Sequence, residues 1–236
     1  MPPAHLPEVI AIDGPAASGK STIGLMLAQR LGYLCLDTGS MYRALTLAVI
    51  RNDISPEDEA AVVRLSGEID LDIIPLAGET DGRHYTVLVD GADVTWDLRL
   101  PEVDALVSQI STYPEVRAEM VRRQRTVGHR GRVIMIGRDI GTVVMPDAAL
   151  KLYITASPQE RARRRWHDRL RQGYDDEFEV ILADVVRRDR IDSSRKHSPL
   201  RPAVDAIVID TTDRTAEAVI DEILSVHLSV EPEGKG

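Results

Sequence analysis

The sequence predicts an α/β protein: a five-stranded parallel sheet flanked by helices, with a small antiparallel β insertion and a helical arm. Three observations predict it. Five short apolar runs read as buried strands: Val9-Ile10-Ala11-Ile12, Tyr33-Leu34-Cys35-Leu36, Val133-Ile134-Met135-Ile136, Leu150-Lys151-Leu152-Tyr153-Ile154 and Ala206-Ile207-Val208-Ile209. Strands covered on both faces lose the polar alternation of a half-wet sheet. Segments of helical spacing separate the runs, which calls for crossover connections and therefore parallel pairing. Between about 68 and 96 the period drops to two instead: Ile69, Leu71 and Ile73 alternate with neighbours that include Asp70 and Asp72.

The first run leads into Gly14-Pro15-Ala16-Ala17-Ser18-Gly19-Lys20-Ser21, a match to G-x-x-x-x-G-K-[ST]. Ile23, Met26, Leu27 and Leu31 then keep helical spacing up to Gly32. Strand, glycine-rich loop and helix are the context in which this motif grips phosphate. Small residues let successive N–H groups turn inward at the positive end of the helix. Lys20 would reach the β- and γ-phosphates of a nucleoside triphosphate, and Ser21 would hold Mg²⁺.

The second run ends at Asp37-Thr38-Gly39, and a helix follows with Met41, Ala44, Leu45, Ala48 and Val49 on its apolar side. Ligands of such a βαβα opening gather at the carboxyl ends of the strands, so Gly14–Ser21 and Asp37–Arg43 are expected to face one cleft. Ser55-Pro56-Glu57-Asp58-Glu59 reads as a helix start, with Ser55 as N-cap and Pro56 at the first helical position. Tyr85 to Val89 leads into Asp90-Gly91, a hairpin turn before Asp93-Val94-Thr95. Two helices are expected from about 103 to 130, divided by Tyr113-Pro114, and Arg122-Arg123-Gln124-Arg125 reads as a solvated face.

Gly137-Arg138-Asp139 closes the third run. Ser157-Pro158-Gln159-Glu160 is a capping box that launches a helix with Arg161, Arg164 and Arg165 on one face, ended by Gly173. A further helix, to about Arg195, sets Arg188, Asp192 and Arg195 on one side. A last helix is expected over 214–227, followed by a frayed polar tail.

A formal charge of −9 and a pI near 5.2 argue against binding duplex nucleic acid through bulk electrostatics. Cys35 is the single cysteine, which excludes an intramolecular disulfide. No apolar stretch approaches a membrane span and the N-terminus lacks a signal pattern, so a soluble cytoplasmic protein is expected. The six histidines carry no metal-ligand spacing.

Arg43, Arg138, Arg188 and Arg195 fall where strand ends and helix faces would line one cleft. A phosphate-binding loop that only senses or hydrolyses nucleotide needs few such cations. One that moves a phosphoryl group onto another phosphate needs many, because donor and acceptor bring several negative charges into contact. A phosphate monoester, with its second pKa near ~6, is already a dianion at neutral pH and requires little from a general base. No Asn-Lys-x-Asp tetrapeptide is present, which argues against a GTPase switch. A kinase for a hydroxyl acceptor stays open as an alternative; Asp37 or Asp139 could serve it as base.

Gly14 to Thr22, Leu36-Asp37-Thr38-Gly39-Ser40-Met41-Tyr42-Arg43, Ser108-Gln109, Gly137-Arg138-Asp139-Ile140-Gly141-Thr142-Val143-Val144 and Arg188 to Arg195 resemble, in order and over nearly the whole chain, the signature blocks of bacterial cytidylate kinases. The resemblance implies a P-loop nucleoside-monophosphate-kinase-like fold in a single domain. Its core would cover about 7–65, 97–156 and 174–228, with a monophosphate-binding insertion over 66–96, a lid over 157–173 and the tail at 229–236. The implied reaction is ATP-dependent phosphorylation of CMP and dCMP to CDP and dCDP, with Mg²⁺. On the donor side Gly14, Pro15, Ala16, Ala17, Ser18, Gly19, Lys20, Ser21 and Thr22 would hold ATP, joined by Arg161 and Arg164 from the lid, and Ser21 would be the Mg²⁺ ligand. Lys20, Arg138, Arg164 and Arg188 are the implied catalytic groups.

On the acceptor side the resemblance implies that Ser108, Arg117 and Asp139 read the cytosine edge, and that Arg43, Arg138 and Arg195 hold the α-phosphate. Arg188 with Asp192 would contact the pentose hydroxyls or the neighbouring phosphate. Asp37, Thr38 and Tyr42 belong to the acceptor block. Partners would be small molecules only, with no duplex nucleic acid and no membrane, and a monomer is expected. The chain departs from the family pattern at Ile136, where an acid is usual, and at Ser40, where alanine is frequent.

Overall fold

In chain order the elements are Val9–Asp13 (β1), Lys20–Leu31 (α1), Leu34–Asp37 (β2), Gly39–Arg51 (α2), Glu59–Glu68 (α3), Leu71–Ile74 (β3), Thr86–Val89 (β4), Ala92–Asp93 (β5), Pro101–Ile110 (α4), Pro114–Gly128 (α5), Val133–Gly137 (β6), Leu150–Thr155 (β7), Pro158–Arg171 (α6), Phe178–Ser194 (α7), Ile207–Asp210 (β8) and Ala216–Glu222 (α8). This is a computed structural model, and it describes residues 6–74, 81, 83–196 and 198–228. The expected frayed tail at 229–236, and positions 75–80 and 82 of the expected insertion, lie outside the described residues.

All five apolar runs become strands of one five-stranded sheet, in the order β2-β6-β1-β7-β8. A second sheet, of three short strands, has the order β3-β4-β5 with antiparallel pairing. The chain divides into two compact units, Met1–Tyr33 with Arg132–Gly236, and Leu34–Gly131. Among the described residues no helix is long and apolar enough to cross a membrane.

In the first unit β1 is buried along its length, with β6 on one side and β7 on the other, both parallel to it. The β1–β6 register pairs Val9 with Val133 and Asp13 with Gly137. Their carboxyl ends are therefore level, and the loop after Asp13 leaves the sheet beside the turn after Gly137. Helix α1 lies close to the sheet: a Cβ on Gly24 would stand 2.5 Å from Ile136 Cδ1, so the glycine gives Ile136 its room. Ile136 is fully buried there, so this position contributes apolar packing rather than a charge. Ala162, Ile181 and Val185 join α6 to α7, with Trp166 set edge-on to Phe178 at 6.5 Å between ring centres.

In the second unit α2 packs on α4 and α3 on α5. The expected helix start at Ser55 is corrected. Helix α3 begins at Glu59, and Asp58 is its N-cap, accepting from Ala61 N at 3.0 Å. The Ser55 hydroxyl donates instead to the Glu57 carboxylate, and the Pro56 carbonyl accepts from the Tyr113 hydroxyl at 2.6 Å, so these residues form a turn. The Arg122–Arg125 run is only partly solvated. Arg122 is exposed, but helical rotation turns Gln124 into the core and lets Arg123 reach the Ser66 carbonyl on α3.

The sequence pattern did not announce the π-type turn Ile140–Val144, in which Met145 N donates to Ile140 O at 2.7 Å. Asp13 caps this turn from the end of β1: its carboxylate accepts from Ile140 N and Gly141 N, each at 2.8 Å. Burial pushes the Asp13 pKa from 3.8 up to about 6, against the pull of those two N–H donors. The folded protein thus binds this proton more tightly than the unfolded chain, and Asp13 makes folding less favourable as pH rises through that interval. An Asp13→Asn variant has no such dependence. Its stability relative to the wild type is expected to rise between pH 4 and pH 7 by roughly 2 kcal/mol, at 1.36 kcal/mol per unit of pKa difference within that window. Urea unfolding of both proteins at the two pH values measures this, and a constant difference would show that Asp13 titrates normally.

Candidate active site

The donor loop is shaped by its backbone. A Cβ on Gly14 would lie 2.0 Å from the Ile154 carbonyl oxygen on β7, so only glycine lets the chain leave β1 along this path. Ala17 (φ 59°) and Gly19 (φ 89°) are left-handed, the backbone form that builds anion-binding nests. Lys20 opens α1 and is buried, its Nζ donating to the Pro15 carbonyl at 2.8 Å. Ser18 is fully buried, and its Oγ has no hydrogen-bond partner among the described residues. Ser21 is the second residue of α1, and Thr22 is exposed.

The three arginines expected to share the lid face do different things. Arg161 is buried (3% exposed) and faces inward. Its guanidinium forks onto Asp189 at 2.9 and 2.5 Å, its Nε donates to the Ala156 carbonyl, and its Nη1 donates to the Ala16 carbonyl of the loop at 3.3 Å. Arg164 is half-buried, bonded to Glu160 and to the Thr211 carbonyl at 2.7 Å, and its Nη1 lies 3.3 Å from where a Cβ on Gly19 would stand. Arg165 faces Asp184 across 3.9 Å. Of the three, Arg164 borders the loop with a partly accessible charge.

At the end of β6, Arg138 Nε pairs with Asp192 Oδ2 at 2.5 Å, and Arg195 Nη2 pairs with Asp192 Oδ1 at 2.5 Å. One carboxylate thus gathers two guanidinium groups, with Arg188 one helical turn before it on α7. Burial works to raise the Asp192 pKa, but the charges of Arg138, Arg195 and Arg188 and the Arg138 hydrogen bond hold the carboxyl below the usual carboxylate range. Asp139 is buried next to Arg138, and its carbonyl accepts from Val143 N and Val144 N.

In the second unit Arg117 is buried, its guanidinium 5.5 Å from the centre of the Tyr42 ring, with Nη1 donating to the Ser111 carbonyl at 3.1 Å. Ser108 precedes by one turn, its carbonyl accepting from the Ser111 hydroxyl. Arg43 is held elsewhere, by Asp104 at 2.6 Å and the Leu98 carbonyl at 3.1 Å. Asp37 Oδ1 caps Gly39 N at 3.0 Å, its carbonyl takes the Ser40 hydroxyl at 2.7 Å, and Thr38 is buried at the start of α2. Serine at position 40 therefore adds a local bond to this turn.

Three residues escaped sequence reading. Asp13 carries a signal in hindsight: a carboxylate on the last residue of a fully buried strand. Thr211 had only its place after β8; its hydroxyl lies 2.9 Å from the Ser18 carbonyl and 3.1 Å from that of Thr155, and accepts from Arg164. Asp189 sits in the Arg188–Arg195 block, and its carboxylate pairs with Arg161 on α6, whereas Asp192 pairs with Arg138 and Arg195.

Comparison with known proteins bears on this arrangement. The family model described as cytidylate kinase matches residues 10–228. The chain is 50% identical over 219 residues to a cytidylate kinase of Roseiflexus castenholzii, covering 93% of each protein, and 51% identical over 205 residues to one of Chloroflexus aggregans, covering 87% of each. Among solved structures, that of an uncharacterized protein from Eubacterium ventriosum aligns with a TM-score of 0.50 at 11% identity, over 94% of this chain and 97% of that one, a likeness of fold alone. With the family model spanning most of the chain and half of the residues shared with these relatives, the chain belongs to the cytidylate kinase family.

Proposed function

We propose that the protein transfers the γ-phosphoryl group of ATP to CMP and dCMP, giving ADP with CDP or dCDP by direct in-line displacement, as a cytoplasmic monomer acting on small molecules. The observation that carries this reading is the β1–β6 register. Asp13 opposite Gly137 sends the phosphate-binding loop and the Arg138-Asp139 turn off adjacent strands at one edge of the sheet, roughly 5 Å apart. A donor grip and an acceptor grip so placed suit transfer between two phosphates.

In such a transfer charge spreads over the oxygens of the migrating group, and catalysis is positioning plus cationic neutralisation. Lys20 serves the donor phosphates, Arg164 flanks the loop at Gly19, and Arg138 with Arg188 meets the acceptor side. The loop's left-handed residues and the buried, unpartnered Ser18 hydroxyl fit a polyphosphate. Gly14 to Thr22 would cradle ATP, and the Ser21 hydroxyl would hold Mg²⁺, which would supply positive charge to neutralise the phosphates. Arg161 would act on the loop through the Ala16 carbonyl.

For the acceptor, Arg138 and Arg195, spread by Asp192, would take the α-phosphate, with Arg43 assigned to the same group by family resemblance. Arg188 and Asp192 would serve the pentose. Asp139 would accept from the exocyclic amine of cytosine, and Arg117 and Ser108 would donate to its ring oxygen and nitrogen. Uracil presents a carbonyl where cytosine presents that amine, so a carboxylate rejects it. Discrimination of this kind is worth about 1–3 kcal/mol per contact pair.

A coupled assay with ATP and each of CMP, dCMP, UMP, AMP and shikimate is expected to show CMP or dCMP ahead by about 100-fold in kcat/KM, the size of one to two such contacts. UMP or shikimate performing as well would end the cytosine reading. Asp139→Ala is expected to cut the CMP-to-UMP ratio about tenfold or more. A general loss of activity at an unchanged ratio would assign Asp139 elsewhere. Lys20→Ala should lower kcat by about 100-fold or more, in line with removal of one preorganised charge donor. Its melting temperature should stay within a few degrees of the wild type, because Lys20 lies at the start of α1 in the loop and not in the apolar core.

A further inference from the structure

We propose that Asp13 is a positioning residue of the acceptor site: through Ile140 N and Gly141 N its carboxylate ties the turn bearing Arg138 and Asp139 to the strand from which the donor loop springs. The proposal rests on the reading of Arg138 and Asp139 as acceptor-binding groups.

The geometry is specific. Ile140 and Gly141 open the π-type turn, and the first N–H groups of a helical turn have no partner within it. Asp13 Oδ1 takes one and Oδ2 the other, each at 2.8 Å, across more than 120 residues of sequence. A carboxylate accepting two backbone N–H groups makes charge-assisted bonds and fixes both peptide planes. The turn is also pressed from the other side. A Cβ on Gly141 would come within 3.1 Å of Lys151 Cδ and 3.4 Å of Asp13 Oδ2, and Lys151 is itself anchored by Asp205 at 2.7 Å. A side chain at 141 would therefore press on the Lys151 stem and the Asp13 carboxylate, which would have to give by a few tenths of an ångström.

Arg138 is accordingly fixed at both ends. Asp192 holds the guanidinium, and Asp13 holds the backbone two residues further on. Asp139 lies between these two anchors, immediately before the turn. The charged groups acting on Asp13 are Asp139 and Lys20. The neutral dipoles Asp13 faces compensate its burial only in part, a cost understandable if the turn must stay put.

The test uses the full-length enzyme as wild type, Asp13→Asn and Asp13→Ala. Steady-state kinetics give KM for CMP and for ATP separately, and amide hydrogen exchange reports on Ile140 and Gly141. For Asp13→Ala, KM for CMP is expected to rise about tenfold or more, the scale of a sub-ångström to 1 Å misplacement, with KM for ATP nearly unchanged. Exchange at the two amides should accelerate. Asp13→Asn keeps one acceptor oxygen and should fall between wild type and alanine in both measurements. Equal rises in the two KM values, or amide exchange as slow as in the wild type, would overturn the proposal. If the wild type does not phosphorylate CMP, the acceptor reading fails, while faster exchange in a folded Asp13→Ala protein still supports the tie to the turn.

Discussion

Guanidinium groups held close together repel one another, and within each unit this protein pairs its arginines with carboxylates placed between or behind them. Asp192 stands between Arg138 and Arg195, Asp189 backs Arg161, and Asp104 holds Arg43. Each pair fixes a fork in a set direction, so less side-chain entropy remains to be lost when an anion arrives. The acidic balance of the whole chain is thus compatible with a site for highly charged anions. Cations concentrated locally and held by acids set local potential, whatever the net charge.

A second arrangement acts on the donor loop through its carbonyl groups. The Pro15 carbonyl accepts from Lys20, the Ala16 carbonyl from Arg161, and the Ser18 carbonyl lies on the Thr211 hydroxyl. Because a peptide unit is planar, fixing the C=O direction fixes the N–H of the next residue to the opposite side. Capturing these carbonyls leaves the following N–H groups directed away from the captors, as a phosphate cradle requires. Arg161 is better understood in this way than as a direct contact to nucleotide, since its fork is already filled. Thr211 carries the same logic from the far edge strand, and it links the loop to Arg164.

What could be read in advance follows from how far apart the cooperating residues lie. The strands were readable because burial on both faces leaves uninterrupted apolar runs such as Val133 to Ile136, and the phosphate-binding loop because its steric demands fall within eight consecutive residues. The i, i+3, i+4 spacing of Arg161, Arg164 and Arg165 gives a shared helix face but not partners, and the partners decide: Asp189 turns Arg161 inward while Arg164 stays by the loop. Asp58 displaced Ser55 as N-cap because the Ser55 hydroxyl found a carboxylate two residues away. The Asp13 bonds to Ile140 and Gly141 join distant segments through backbone groups, which no side-chain pattern encodes.

Asp13 and Asp192 show how one residue type serves two purposes at neighbouring points. Both are buried, and burial alone raises the pKa of each. Asp192 sits among full positive charges that outweigh desolvation, so its carboxyl is held below the usual range and the arginine cluster keeps its shape through mildly acidic conditions. Asp13 faces chiefly neutral N–H dipoles, with Lys20 a smaller influence and Asp139 opposing it, so its carboxyl is pushed up to about 6. A phosphate monoester also takes up its proton near ~6. On acidification the cap of the Arg138-Asp139 turn and the acceptor of the proposed reaction would therefore lose charge over the same interval, while Asp192, held below the usual range, keeps its charge between Arg138 and Arg195. In the proposed reaction the acid limb would then have two origins, one in the substrate and one in the fold, and only the second would disappear when Asp13 is replaced by asparagine.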